Sequence, residues 1–316
     1  MSPLQRSWLG WLCLALLLAG AAVLAWRLMW AQGAPAAAVP ASTLPVPVAT
    51  RLGIPVAGVD GLLAEVARQD WIVRRWRDYP AVLVVQFPGL PVQGQALNRI
   101  AALLEKGQGS RDRVLDDEQL QALVASSGDS AASFFLGHDY PAEGLARFFT
   151  LAQAQGIALN VEEQRLLTLL LQAELIALAP DATAGYVSTG VGALVSFSAP
   201  QLDDPGTFAD EGMDATRRVS VLRHELSHGR FFTDEAYREH CLRFWHEVLT
   251  EPERRAWRRY LDGLGYDRRN EELMANETQA LLMHTSDTRD FSAASLGVAQ
   301  QELQVQQARF RQGLGG

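Results

Sequence analysis

Two of the chain's six histidines fall in one five-residue window, His224-Glu225-Leu226-Ser227-His228. Histidines at i and i+4 share one face of a helix, a turn apart, so both imidazoles can reach a single ion. The glutamate beside the first histidine can then stand next to a metal-bound water and take its proton. Zinc lowers the pKa of such a water to about 7, which supplies a hydroxide nucleophile at neutral pH. His224 and His228 are therefore expected as ligands of Zn2+, and Glu225 as the general base. Val221, Leu222 and Leu226 give the same stretch a buried side, as a helix packed on a core requires.

A catalytic zinc takes three protein ligands and keeps one position open. Gly229 is followed by Arg230, Phe231 and Phe232, so there is no HxxGxxH continuation to supply a third histidine. The third ligand is expected on a later helix, over Asn270–His284, which offers Glu271, Glu272 and Glu277. Glu272 and Asn276 are i and i+4 and share a face. The first could bind the ion while the second steadies a histidine from behind. Glu277 has Leu281 at i+4, a residue suited to a core. This spacing favours Glu272, with Glu277 as the next choice and Asn276 as the supporting residue. His138, His240, His246 and His284 have plainer readings as turn, surface or helix-end residues.

The pattern of the chain assigns elements to hold these groups. Ala81–Phe87 is a short apolar run bounded by prolines and reads as a buried strand. Helical patterns follow at Gln93–Lys106, Asp116–Ser126, Glu143–Gln155 and Val161–Leu178, with a possible strand at Ala131–Leu136. Ala193–Ala199 has strand character and is expected at the sheet edge, where an extended substrate could pair with it. From Asp214, a plausible N-cap, the chain turns helical, with Gly229 as a plausible helix end. Further helices are expected at about Asp234–Leu249, from Pro252 to Gly263 or Gly265, at Asn270–His284 and at Ala293–Gln312. The fold class is α+β. An α/β lobe over 51–180, of unassigned role, precedes a mainly helical lobe over 181–316 that carries the motif.

With 316 residues the chain needs no staples for its core, and its two cysteines exclude a disulfide scaffold and a thiolate zinc cluster. A formal net charge of −8 argues against a nucleic-acid partner. Lys106 is the single lysine among 28 basic residues, which reads as codon bias rather than chemistry. Residues 1–30 hold an uncharged apolar run, Leu12–Ala25, with Trp8 and Trp11 before it and Trp26 and Trp30 after it. As a helix, Trp8–Trp30 would extend roughly 33 Å, close to a bilayer's hydrocarbon core, with aromatic residues at both interfaces. A transmembrane signal anchor is expected. Residues 31–50 are rich in alanine and proline and read as a tether. The charge balance around the run leans toward a catalytic part outside the cytoplasm, on the periplasmic side of an inner membrane.

The HExxH motif followed by Glu272-Leu273-Met274-Ala275-Asn276 resembles the gluzincin clan of zinc peptidases. Tyr266-Asp267-Arg268-Arg269-Asn270-Glu271-Glu272 and Met283-His284-Thr285-Ser286-Asp287 are similar to stretches of lethal-factor-like catalytic domains. The likeness covers about residues 214–290. It implies a zincin-like lobe and a metalloendopeptidase acting on a peptide or protein substrate. It also implies a role for Tyr266 in holding the oxyanion. The expected function is thus membrane-anchored, zinc-dependent hydrolysis of peptide bonds. The alternative is a catalytically inactive zinc-binding envelope protein that binds a partner.

Overall fold

The computed structural model describes residues 53–109, 111–181, 184–207 and 209–314. The anchor and tether expected over 1–50 lie outside the described residues. Among those described, no helix is long and apolar enough to cross a membrane.

The sheet explains the architecture. Its five strands are β1 (Val56–Ala57), β2 (Ile72–Trp76), β3 (Val82–Phe87), β4 (His138–Pro141) and β7 (Ala193–Ser198), in the order β1-β2-β3-β7-β4. β3 and β7 run parallel, with Leu83 opposite Leu194 and Val84 opposite Val195; β4 is antiparallel to β7. A separate hairpin pairs β5 (Ile176–Leu178) with β6 (Tyr186–Ser188).

Both central strands are buried throughout, as continuous apolar runs covered on two faces must be. Leu83, Val85, Phe87 and Leu194 face one core, with α2 (Leu90–Leu104), α4 (Ala142–Ala154) and α5 (Val161–Gln172). Val82, Val84, Val195 and Phe197 face another core, built with Val221, Leu222 and Leu226 of α6 (Ala215–Thr233). Two further helices contribute to these cores, α1 (Val59–Ala64) through Leu62 to the second and α3 (Asp117–Ser127) through Val124 to the first. The C-terminal helices form a third core: α7 (Glu235–Arg243), ending in a π-turn over Phe244–Val248, then α8 (Glu251–Gly263), α9 (Glu271–His284), α10 (Ala293–Leu296) and α11 (Gln300–Gln312). The mixed α and β content agrees with the α+β class.

Several expectations need correcting. A boundary at 180 would cut through one sheet, since β7 lies between β3 and β4; residues 51–180 supply four of its five strands. The described residues fall in one compact unit. Ala193–Ser198 is central, and the edge strand beside the motif helix is β4. Ala131–Leu136 is a turn, because the Ser130 hydroxyl accepts from the Ala132 and Ser133 amides at 3.0 and 3.1 Å and holds the chain locally. The helix expected over Val161–Leu178 stops at Gln172. Glu174 takes a left-handed conformation (φ 54°), and the Leu175 amide bonds back to Leu170 O at 2.9 Å.

Candidate metal centre

The motif helix α6 starts where the Asp214 side chain accepts from the Arg217 amide at 2.9 Å, the expected N-cap. It does not stop at Gly229 but runs to Thr233. Gly229 serves contact instead. A Cβ there would lie 2.8 Å from Val82 Cγ1 and 3.3 Å from Val195 Cγ1. The glycine weakens the helix by about 1 kcal/mol and in return lets α6 lie close on the sheet. That seats the turn holding both histidines against β4 and β7.

His224 and His228 meet as the spacing requires, with their Nε2 atoms 2.9 Å apart. Thr285 Oγ1, just past α9, is 2.7 Å from His224 Nδ1 and 3.2 Å from Ala280 O. The hydroxyl donates to the carbonyl and accepts from Nδ1–H. His224 Nε2 is then left with its lone pair facing inward. Burial pushes His228 down to about 4 and His224 well below the usual imidazole range. Both are neutral at pH 7, the state that ligates a cation.

The third group is Glu277, not Glu272. Glu277 Oε2 is 3.7 Å from His224 Nε2, and its Oε1 is 3.9 Å from His228 Nε2. Glu277 is 1% exposed. The Glu272 side chain is 49% exposed and pairs with Arg238 at 2.6 Å. Glu271 pairs with Arg258 at 2.9 Å and accepts from Trp245 Nε1. The first-turn acids of α9 therefore face outward, beside their own helix N-terminus, whereas Glu277 lies on the face that meets α6. That meeting is fixed by Gln279, which donates to Ser227 Oγ at 3.1 Å and accepts from Tyr237 Oη at 2.7 Å. Asn276 is buried, accepts from Gln279 at 3.3 Å and lies beside His228, where it partly offsets the loss of basicity from burial. His228 Nδ1 itself has no hydrogen bond of good geometry.

Glu225 lies against the backbone of Gly137, where a Cβ would stand 2.2 Å from its Oε1. Asp139, on β4, brings Oδ2 to 3.7 Å from His228 Nε2. His224, His228 and Glu277 thus form one donor set able to hold a metal ion, and Asp139, Glu225 and His228 form a second. Burial, and then repulsion from neighbouring carboxylates, pushes Asp139, Glu225 and Glu277 well above the usual carboxylate range. Glu225 Oε2 and Glu277 Oε2 are buried without a hydrogen-bond partner. Buried carboxylates are ordinarily paired or coordinated, so a divalent cation fits this donor set.

These groups open onto a cavity of about 520 Å³ whose wall includes His224, Glu225, Asp139, Tyr266 and Lys106. Tyr266 is half-buried, and its phenol faces Glu277, opposing that residue's rise in pKa. His138 does not line the cavity. Strand alternation turns it to the other face, where Nδ1 meets Tyr140 Oη at 2.8 Å. His240 packs on Phe310, and His284 meets Tyr237 Oη at 3.1 Å. Sequence reasoning missed Asp139, Thr285 and Lys106. The period-2 alternation of β4 would have picked Asp139 over His138, had the strand been placed at 138–141.

Compared with known proteins, the chain matches no family model, no curated protein and no solved structure.

Proposed function

We propose that this protein is a gluzincin-type zinc peptidase that hydrolyses peptide bonds, tethered to a membrane by its apolar N-terminal segment with the catalytic part on the periplasmic side. One observation carries the reading. The two motif histidines and Glu277 converge on one point just behind the cavity wall that His224 and Glu225 line, with Glu225 lacking a cationic partner. Zn2+ suits two imidazoles and a carboxylate, and when bound it would supply the charge that lowers the pKa of water to about 7.

The chain's own groups then divide the work. Glu225 takes a proton from the attacking water as the new C–O bond forms. It returns that proton to the departing amine nitrogen as the C–N bond breaks. Gly137 leaves the room Glu225 needs for this. Tyr266, on the same wall, donates its hydroxyl to the oxygen that gains charge. Thr285 holds His224 in the ligating tautomer. β4 is the sheet edge beside the cavity, and an extended peptide can pair along it.

The test uses the full-length protein. Zinc content and peptide hydrolysis are measured for the wild type, for chelator-treated protein and for Glu225→Gln. The expected result is one bound zinc in wild type and in Glu225→Gln, with hydrolysis lower by about 10²–10⁴-fold in the variant. Equal rates would remove Glu225 from the chemistry, and zinc-loaded wild-type protein that cleaves nothing would leave a binding protein.

A further inference from the structure

One cation on the cavity wall has no part in that scheme. Lys106 stands just beyond the C-terminus of α2 and is 6% exposed. Its Nζ lies over the rings of Phe134 and Phe135, 4.4 and 4.3 Å from their centroids, and 5.9 Å from that of Tyr266. An ammonium has three donors. One reaches Leu264 O at 3.1 Å; the charges of Asp129, Glu105 and Glu277 favour the ammonium against its burial from a distance, but no carboxylate among the described residues comes within 4.0 Å to take the remaining donors. The other two cationic side chains of the wall are committed. Arg217 pairs with Asp290 at 2.8 Å, and Arg289 with Asp287 at 2.7 Å and Asp214 at 2.8 Å.

Clasping a loop does not account for the unfilled donors of this ammonium. The loop that carries Leu264 and Tyr266 is already clasped to the end of α2 by main-chain bonds, Gly107 N to Gly265 O and Asp267 N to Glu105 O, both 2.9 Å. A buried charge with spare donors, held in place by aromatic faces, is costly unless a partner completes it. We propose that Lys106 determines the specificity of the cavity by receiving a carboxylate of the substrate. The carboxylate comes from an acidic side chain near the scissile bond or from the free C-terminus of the peptide. This rests on the peptidase reading for the substrate's being a peptide, but not for the carboxylate preference itself.

Binding separates the two. Zinc-loaded, full-length Glu225→Gln protein is titrated with three labelled peptides of one neutral sequence. One is amidated, one has a free C-terminus, and one is amidated with glutamate placed at successive positions. A charge-assisted hydrogen bond should tighten binding about tenfold or more for a carboxylate-bearing peptide over the neutral one. Whether the free terminus or the glutamate gives the gain identifies the source. Adding Lys106→Met should abolish the preference while neutral-peptide affinity changes less than about threefold, and Lys106→Arg should keep part of it. Should Lys106→Met fail to fold, Lys106→Gln on the same background takes its place, since bound zinc could also attract a carboxylate. No preference with Lys106 in place, a preference that survives its replacement, or equal loss for all peptides would overturn the proposal. Wild-type protein that prefers carboxylates yet cleaves nothing overturns the peptidase reading and supports this one. Cleavage at equal kcat/KM for neutral and acidic peptides does the reverse.

Discussion

On one side of the sheet, Glu163 of α5 is fully buried and meets Arg99 of α2 at 2.7 Å. Its other oxygen accepts from the Asn160 amide at 2.9 Å, and Arg99 also donates to Leu115 O at 2.6 Å. On the other side, Glu225, Glu277 and Asp139 are buried too. No Lys or Arg nitrogen among the described residues lies within 4.0 Å of them, and two of their oxygens have no partner. The first carboxylate completes a structure. The second group has no such partner and could hold a cation from outside the chain. Burial of acids is therefore not the signal of a site; burial without internal compensation is.

The contrast can be broken from both sides. Arg99→Met would leave Glu163 buried and unpaired, and should cost about 3–5 kcal/mol in denaturant unfolding. Glu277→Gln removes a carboxylate that no Lys or Arg nitrogen among the described residues approaches within 4.0 Å. It should leave the metal-free protein folded but weaken zinc binding by more than about 100-fold, beyond the cost of losing an outer-shell partner. Titration with a competing chelator reads this. Glu272→Gln should leave zinc affinity unchanged and shift stability by under about 1 kcal/mol, as for other exposed ion pairs.

Gly137→Ala sharpens the geometry. Its Cβ would meet Glu225 Oε1, so hydrolysis should fall about 100-fold with zinc retained, because the base is displaced and the ligands are not. The smallest effect belongs to a paired acid away from the centre. Hydrogen bonds from Arg269, then from Arg111, hold Asp267 at about 2, below its ordinary 3.8. A depressed carboxylate contributes stability that is complete above the unfolded pKa and is lost as pH falls through the folded one. Asp267→Asn should therefore lower the melting temperature slightly at pH 6, and the difference should vanish toward pH 2.

The two groups of residues were unequally legible in the sequence. The histidine pair and Glu225 could be read because their relation is local: i, i+1 and i+4 on one helix decide who faces whom. The same logic failed for the third carboxylate. Local spacing favours Glu272 for its polar neighbour at i+4 and discounts Glu277 for Leu281. Yet Leu281 lines the cavity too, and an apolar wall is what a buried ligand has beside it. Which face of α9 meets α6 depends on Gln279, Ser227 and Tyr237, contacts between distant segments that no local period encodes. Strand β7 shows the same limit. Its apolar run announced burial, but only pairing on both sides makes it central and leaves the edge to β4. Lys106 looked like compositional noise because what singles it out is the aromatic cage around it.

In the proposed centre, His224, His228 and Glu277 hold one metal ion. Crystals of the zinc-loaded full-length protein, measured at the zinc absorption edge, test it directly. A single anomalous peak is expected about 2.0–2.2 Å from both Nε2 atoms and from a Glu277 oxygen. A peak ligated by Glu272, or no peak between the two histidines, would contradict it.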